Sequence, residues 1–88
     1  MYKIANHIAI EENKEMECRI LLDLENGVLF QLNDTASALL ECIANNALID
    51  DCINDIAHST GEERSCVSKD IYAYLDTLVE KGYLLMLE

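Results

Sequence analysis

Four cysteines are the residues of this 88-residue sequence with the most specific potential chemistry. They stand at positions 18, 42, 52 and 66, so that 24, 10 and 14 positions separate successive members. Zinc sites and thiol–disulfide redox sites commonly use a Cys-x-x-Cys pair, and none of these separations provides one. Each cysteine falls in or beside an apolar stripe, which predicts small, reduced core residues. A disulfide pair is the alternative, and it would require an oxidising compartment.

Histidines and paired acids are the remaining candidates for catalysis. His7 and His58 have no partner in the spacing of a known nucleophilic site. Asp50-Asp51 and Glu62-Glu63 fall at predicted helix starts, where carboxylates stabilise the positive end of the helix dipole. Three scattered glycines do not form a phosphate-binding loop. The sequence therefore predicts no catalytic residue, no metal site and no cofactor.

The composition is that of one small, acidic domain spanning residues 1–88. Six Lys and Arg against 17 Asp and Glu give a net charge of −11, which disfavours nucleic acid as a partner. The acidity either serves solubility or favours a basic partner. No apolar run has the length of a membrane span, and the first residues lack the layout of a signal peptide. We therefore expect a cytoplasmic protein without a membrane partner.

Alternating apolar residues predict three strands in the first third of the chain. These positions are Ile4, Ile8 and Ile10 in the first strand, Cys18, Ile20, Leu22 and Leu24 in the second, and Val28, Phe30 and Leu32 in the third. In the second strand, Arg19 and Asp23 would occupy the opposite face.

The turn between the second and third strands sets their register. A two-residue turn would place Asp23 opposite Phe30, whereas a three-residue loop, 25–27, pairs apolar residues throughout. The resulting pairs would be Leu24 with Val28, Leu22 with Phe30, and Ile20 with Leu32. We therefore predict the three-residue loop, with Gly27 in the left-handed conformation.

Three helices are predicted to follow. The first is capped by Asn33 or Asp34, the second runs from near Asp50 to Gly61, and the third extends from about Ser65 to Lys81. Their apolar stripes are Ala36, Leu39, Leu40 and Ile43 in the first, Ile49, Ile53, Ile56 and Ala57 in the second, and Val67, Ile71, Tyr74, Leu75 and Leu78 in the third. Residues 83–87 form an extended tail. The predicted fold is α+β and winged helix-turn-helix-like, with a three-stranded antiparallel sheet followed by three helices.

The third strand would lie at the edge of a 1-2-3 meander. From Val28 to Leu32 it has no proline and no charge, although unpaired edges normally carry such protection. Such an edge is either covered by the chain itself or used to bind a peptide as an added strand. On the third helix, a stripe outside the core pattern could face this peptide, and its members are Ser68, Tyr72, Leu75 and Val79.

Two segments of the sequence resemble the PqqD-like family. The first is Leu22-Asp23, then Gly27, then Phe30-x-Leu32-Asn33-x-Thr35-Ala36. The second is Asp70-Ile71-x-x-Tyr74-Leu75-x-x-Leu78-x-x-x-Gly82-Tyr83-Leu84. Leu40 replaces an aromatic residue of many members, and Asn45-Asn46 replaces Asp-Gly.

The resemblance implies a recognition element for ribosomally synthesised and post-translationally modified peptides (RiPPs). Such an element is not an enzyme. It binds the leader segment of a precursor peptide and acts as a chaperone or adaptor that presents the peptide to its enzyme. The enzyme would be a radical-SAM enzyme, a lasso-peptide protease or another modifying enzyme. The implied contact residues are Val28, Leu29, Phe30, Gln31, Leu32, Ser68, Tyr72, Leu75 and Val79.

Other functions are compatible with this fold. A winged-helix transcription regulator would use the third helix on DNA, but that helix offers Lys69 and Lys81 against three acids, Asp70, Asp76 and Glu80. An acyl carrier protein would need a serine in an Asp-Ser-Leu context, which the sequence lacks. Another small peptide-binding adaptor remains an alternative.

Overall fold

Eight elements make up the fold, in a computed structural model that describes residues 1–87. They are β1 (Tyr2–Ile4), β2 (Ile8–Asn13), β3 (Cys18–Asp23), β4 (Val28–Leu32), α1 (Asp34–Ala44), α2 (Ile49–Thr60), α3 (Arg64–Glu80) and β5 (Leu84–Met86). Strands β2, β3 and β4 form an antiparallel sheet in that order, and the three helices follow it. The predicted α+β class, with a three-stranded sheet before three helices, is confirmed.

The predicted first strand is wrong in its extent, because it is two strands that belong to different sheets. Residues 2–4 form β1, which pairs with β5 through Tyr2–Met86 and Ile4–Leu84. The chain then turns at buried Ala5, whose N–H donates to the carbonyl of Tyr83, before β2 begins. The C-terminal segment, predicted as an extended tail, is therefore a paired strand that ties the two ends of the fold together.

The helices begin and end close to the predicted positions. Asn33 caps α1, since its side-chain oxygen accepts a hydrogen bond of 2.8 Å from the N–H of Ala36. Gly61 ends α2 in the left-handed conformation with φ 73°. The helices meet the sheet in one apolar core, whose least exposed members are Leu21, Leu39, Leu40, Ile53, Ile71, Leu75 and Leu84.

The predicted register of the β3–β4 hairpin is wrong. Strand β3 pairs with β4 through Leu21–Phe30 and Asp23–Val28, so the connecting loop has four residues, 24–27. On β3, the apolar face of Ile20, Leu22 and Leu24 is turned outward, and Leu24 is 65% exposed. Leu21 and Asp23 instead face the helices, and each is 1% exposed. A shift of one residue in strand register exchanges the two faces, as it does here.

The buried carboxylate of Asp23 explains this register. It accepts hydrogen bonds from the N–H groups of Glu25 and Asn26, both at 3.1 Å, and from the side-chain amide of Asn26 at 2.9 Å. These donors replace the water that a carboxylate loses on burial. The hydrogen bond from the Asn26 side chain is the largest of the influences that lower the pKa of Asp23. Burial acts in the opposite direction, and the two backbone bonds lower the pKa further. Gly27 completes the loop at φ 69°, which confirms its predicted conformation.

Candidate functional site

Strand β4 lies at the edge of the three-stranded sheet, which confirms its predicted position. Within residues 1–87 no strand pairs with its outer edge, so alternate backbone N–H and C=O groups face outward there. Its side chains divide between two faces of the sheet. Phe30 lies on the face of Leu21, toward the helices, while Leu29 lies on the opposite face and is 58% exposed. An edge strand with this exposed backbone and no charge can accept a further strand.

An apolar cavity of about 160 Å³ lies between β4 and α3. The walls come from β3, β4, α1, α3 and the segment before β5, and most of the lining atoms are carbon. The lining residues are Leu21, Phe30, Leu32, Ala36, Leu40, Tyr74, Thr77, Leu78, Lys81 and Tyr83. The side chains of β4 that face the helices therefore border a recess that could take an apolar group from a ligand beside the strand.

One end of this cavity is fixed by a hydrogen bond between α1 and α3. The Asn33 side-chain amide donates to the Tyr74 hydroxyl at 2.6 Å, while the Asn33 side-chain oxygen caps α1. Beyond this bond a second, more open depression continues along α3, with Asp70 and Ala73 among its lining residues. The two depressions share Tyr74 and Thr77, so together they form a groove along α3 that extends from β4 to the start of α1.

The other end of the cavity is built around the ring of Phe30. Its centroid lies 6.0 Å from that of Tyr83, and the Lys81 ammonium lies 4.9 Å from the Phe30 centroid. Burial of the Tyr83 phenol, followed by the nearby negative charge and hydrogen bond of Asp23, raises the pKa of Tyr83. His7 adds an edge contact to Tyr83, with ring centroids 6.3 Å apart. Tyr83 thus joins this end of the cavity to the carboxylate that organises the hairpin loop.

The four α3 residues that were predicted as contacts do not lie beside β4. Leu75 is fully buried in the core, and Val79 packs against the core from its edge. Tyr72 is 44% exposed, but it lies two residues from Tyr74, about 200° around the helix. Ser68 is half-buried and is likewise absent from the cavity lining. The structure places the five predicted β4 residues together and the four predicted α3 residues on another side of that helix.

Sequence reasoning missed the α3 residues that do line the cavity, which are Tyr74, Thr77, Leu78 and Lys81. Their spacing of three, one and three positions is that of one helical face. Tyr74 and Leu78 were assigned to the core stripe, and the polar ends of Thr77 and Lys81 obscured the pattern. The apolar stem of a lysine can still line a recess. Counting Lys81 as partly apolar, at the helical spacing from Tyr74 and Leu78, could have identified the face.

None of the four cysteines lines this cavity. Cys52 is buried, and that burial, reinforced by the thiol of Cys42, raises the pKa of Cys52 to about 12. Cys18 and Cys42 are half-buried and Cys66 is exposed, so only Cys52 is the fully buried residue that the sequence predicted for all four. In the part of the chain that the structure describes, no three His, Cys, Asp or Glu side chains are placed to hold a metal ion.

Over residues 1–87, none of the three helices has the length and apolar character needed to cross a membrane.

A family model described as coenzyme PQQ synthesis protein D (PqqD) matches residues 18–84. This match covers β3, β4, all three helices and the beginning of β5. Comparison with curated protein sequences gives no match.

Two solved structures share the fold over nearly their whole length. One, described as lasso peptide synthetase B1 complexed with the leader peptide, has a TM-score of 0.86 and 25% identity. The alignment covers 97% of this chain and 98% of that one. The other, described as TbiB1 in complex with the TbiA(beta) leader peptide, has a TM-score of 0.84 and 20% identity, with 98% of each chain covered. The second likeness concerns the fold alone.

Proposed function

The chain belongs to the PqqD family, and we propose that it binds the leader segment of a RiPP precursor as an added strand along β4. The observation that carries this proposal is the juxtaposition of an unpaired, uncharged edge strand with an apolar cavity. The likeness to a lasso peptide synthetase B1 whose description includes a leader peptide supports it.

Binding would use the backbone and the cavity for different purposes. Main-chain hydrogen bonds along β4 contribute affinity that depends little on the sequence of the peptide. Side chains of an added strand alternate between the two faces of the sheet. One set enters the groove against α3, where an apolar side chain fills the recess bordered by Phe30, Leu32 and Leu78. Selectivity for the peptide arises from this set.

In this proposal the chain binds and the partner enzyme carries out the chemistry. A leader held along β4 leaves the remainder of the precursor free to enter the active site of another protein. That protein would be a modifying enzyme or protease, such as a radical-SAM enzyme or a lasso-peptide protease. The chain then raises the effective concentration of the precursor at that enzyme.

The proposed site differs on α3 from the one expected from the sequence. The contact residues on β4 remain residues 28–32, which offer their backbone. On α3 we replace the stripe of Ser68, Tyr72, Leu75 and Val79 by the cavity-lining face. That face consists of Tyr74, Thr77, Leu78 and Lys81.

A binding footprint tests the proposal. Displayed libraries of random peptides are selected on the purified protein, and the strongest binder is titrated into ¹⁵N-labelled protein. We expect the amide shifts to concentrate in residues 28–32 and on the cavity-lining face of α3. Selection on Phe30→Asp protein, checked for folding by circular dichroism, is the control. A footprint confined to α2 and the β1–β5 sheet would reject the site, and no enrichment of any peptide would reject the function.

A further inference from the structure

We infer, resting on the peptide-binding function proposed above, that the bound peptide carries an aspartate or glutamate at a fixed position and that Lys81 binds this carboxylate. The juxtaposition that carries the inference is the Lys81 ammonium over the Phe30 ring at the rim of the apolar cavity, 4.9 Å from the ring centroid. Lys81 would then be a specificity-determining residue, which selects among peptides that β4 alone would accept.

Lys81 differs from both arginines of this acidic chain. Arg19 lies 3.2 Å from a carboxylate oxygen of Glu41, and Arg64 lies 3.5 Å from one of Asp50. Among residues 1–87, no carboxylate oxygen lies within 4.0 Å of the Lys81 ammonium, although acids outnumber Lys and Arg by 17 to 6. The cation at the cleft is therefore available to an anion supplied from outside.

Filling the groove changes the environment of this ammonium. Lys81 is exposed, so its ammonium is open to solvent on the side away from Phe30. A peptide strand beside β4 displaces part of that solvent, and a charge that loses water without a partner is costly. A peptide carboxylate supplies a charge-assisted hydrogen bond in its place. A peptide lysine or arginine at the same position adds repulsion. Lys81 therefore favours an acidic residue and also disfavours a basic one at this position.

The alternation of strand side chains fixes where the acid stands in the peptide. The apolar residue in the cavity and the acid at Lys81 both face α3, so they share one parity. Because Lys81 lies at the rim of the same cavity, they are neighbours on that face, two positions apart. The preference is confined to one end of the groove, because Asp70 lines the depression at the other end. The requirement is therefore for one acid at one position.

This local preference opposes the charge of the whole protein. A net charge of −11 attracts basic peptides from a distance, but salt screens such attraction beyond about 8 Å at physiological ionic strength. Contact at Lys81 acts within that distance. We therefore expect a peptide that is neutral or basic overall and acidic at the position facing Lys81.

Parallel selections of one displayed random-peptide library test the inference. The targets are the wild-type protein, Lys81→Glu, Lys81→Met and Lys69→Glu. Lys69 lies on an exposed side of α3 outside the cavity lining, so its replacement makes the same change of net charge elsewhere on the helix. Circular dichroism establishes that each variant folds.

The wild type and Lys69→Glu should enrich Asp or Glu two positions from an apolar residue. Lys81→Glu should enrich Lys or Arg there, and Lys81→Met should lose the charge preference. For one selected peptide, exchange of the acid for lysine should weaken wild-type binding about tenfold and strengthen binding to Lys81→Glu.

Acidic enrichment that persists with Lys81→Glu would overturn the inference. Peptides that bind along β4 without any positional acid would overturn it while leaving the proposed function standing, and failure of all four targets to enrich peptides would overturn both.

Discussion

Asn33 and Tyr74 join the end of β4 to the middle of α3 across 41 positions of sequence, through a hydrogen bond of 2.6 Å from the Asn33 side-chain amide to the Tyr74 hydroxyl. The same asparagine caps α1 through its side-chain oxygen. One residue therefore sets both the direction in which the chain leaves β4 and the position of the helix that forms the opposite wall of the cavity.

Replacement of these two residues should separate the two roles. Asn33→Ala removes the cap and the bond to Tyr74, at about 1 kcal/mol each, and should lower the free energy of unfolding by about 2 kcal/mol. Tyr74→Phe removes only the bond and should cost about 1 kcal/mol. Urea denaturation of both variants measures the difference. A loss for Tyr74→Phe that equals or exceeds the loss for Asn33→Ala would show that the cap contributes nothing.

The buried carboxylate of Asp23 should make stability depend on pH in the acid range. Its pKa in the folded protein is lower than in the unfolded chain, so its contribution is complete above about pH 4 and is lost as pH falls through the folded value. Denaturation between pH 2 and pH 6 should show the free energy of unfolding falling as pH falls. For Asp23→Asn this free energy should depend on pH with a weaker slope. Asp76→Asn, at an exposed position of α3, is the matched control and should keep the wild-type slope. An unchanged slope in Asp23→Asn would contradict this account of the hairpin.

Gly27 should be required for its backbone conformation rather than for space. Its φ is 69°, and an added Cβ would meet no atom within 4 Å. Gly27→Ala should therefore destabilise the protein by on the order of 1 kcal/mol through left-handed backbone strain alone. Gly27→Asn should cost less, since asparagine adopts this conformation more readily. Equal losses for the two variants in thermal denaturation would point to a cause other than φ.

The two faces of β4 should contribute differently to peptide binding. Phe30→Ala removes a wall of the cavity and should weaken the affinity for a selected peptide about tenfold. Leu29→Ala alters the outer face and should leave the affinity within about twofold, because the backbone edge is unchanged. Fluorescence anisotropy with a labelled peptide measures both. A larger effect at Leu29 than at Phe30 would place the peptide's anchoring side chains on the outer face of the sheet.

The sequence predicted the elements formed by local patterns. The apolar stripes of α1 and α3, a cap at Asn33 or Asp34 and the edge position of β4 follow from spacing over a few residues. The structure contains both stripes and the edge strand, and of the two candidate caps it uses Asn33. The pairing of β1 with β5 joins residues 80 to 84 positions apart, and neither short segment carries a periodic signal strong enough to identify its partner.

The register of the hairpin could not be obtained by matching apolar residues. Asp23 occupies a buried position that hydrophobicity assigns to the surface, and three hydrogen-bond donors make this possible. The apolar residues of the other face, Ile20, Leu22 and Leu24, consequently lie toward solvent in whole or in part. On α3 the core stripe and the cavity-lining face overlap at Tyr74 and Leu78, so composition did not separate them.

Contacts between a selected peptide and β4, measured by nuclear Overhauser effects in the complex, test the central claim most directly. The account predicts backbone contacts between the peptide and residues 28–32, together with side-chain contacts from one apolar peptide residue to Phe30 and Leu78. A peptide whose backbone contacts lie on α2 or the β1–β5 sheet, with none along β4, would contradict it.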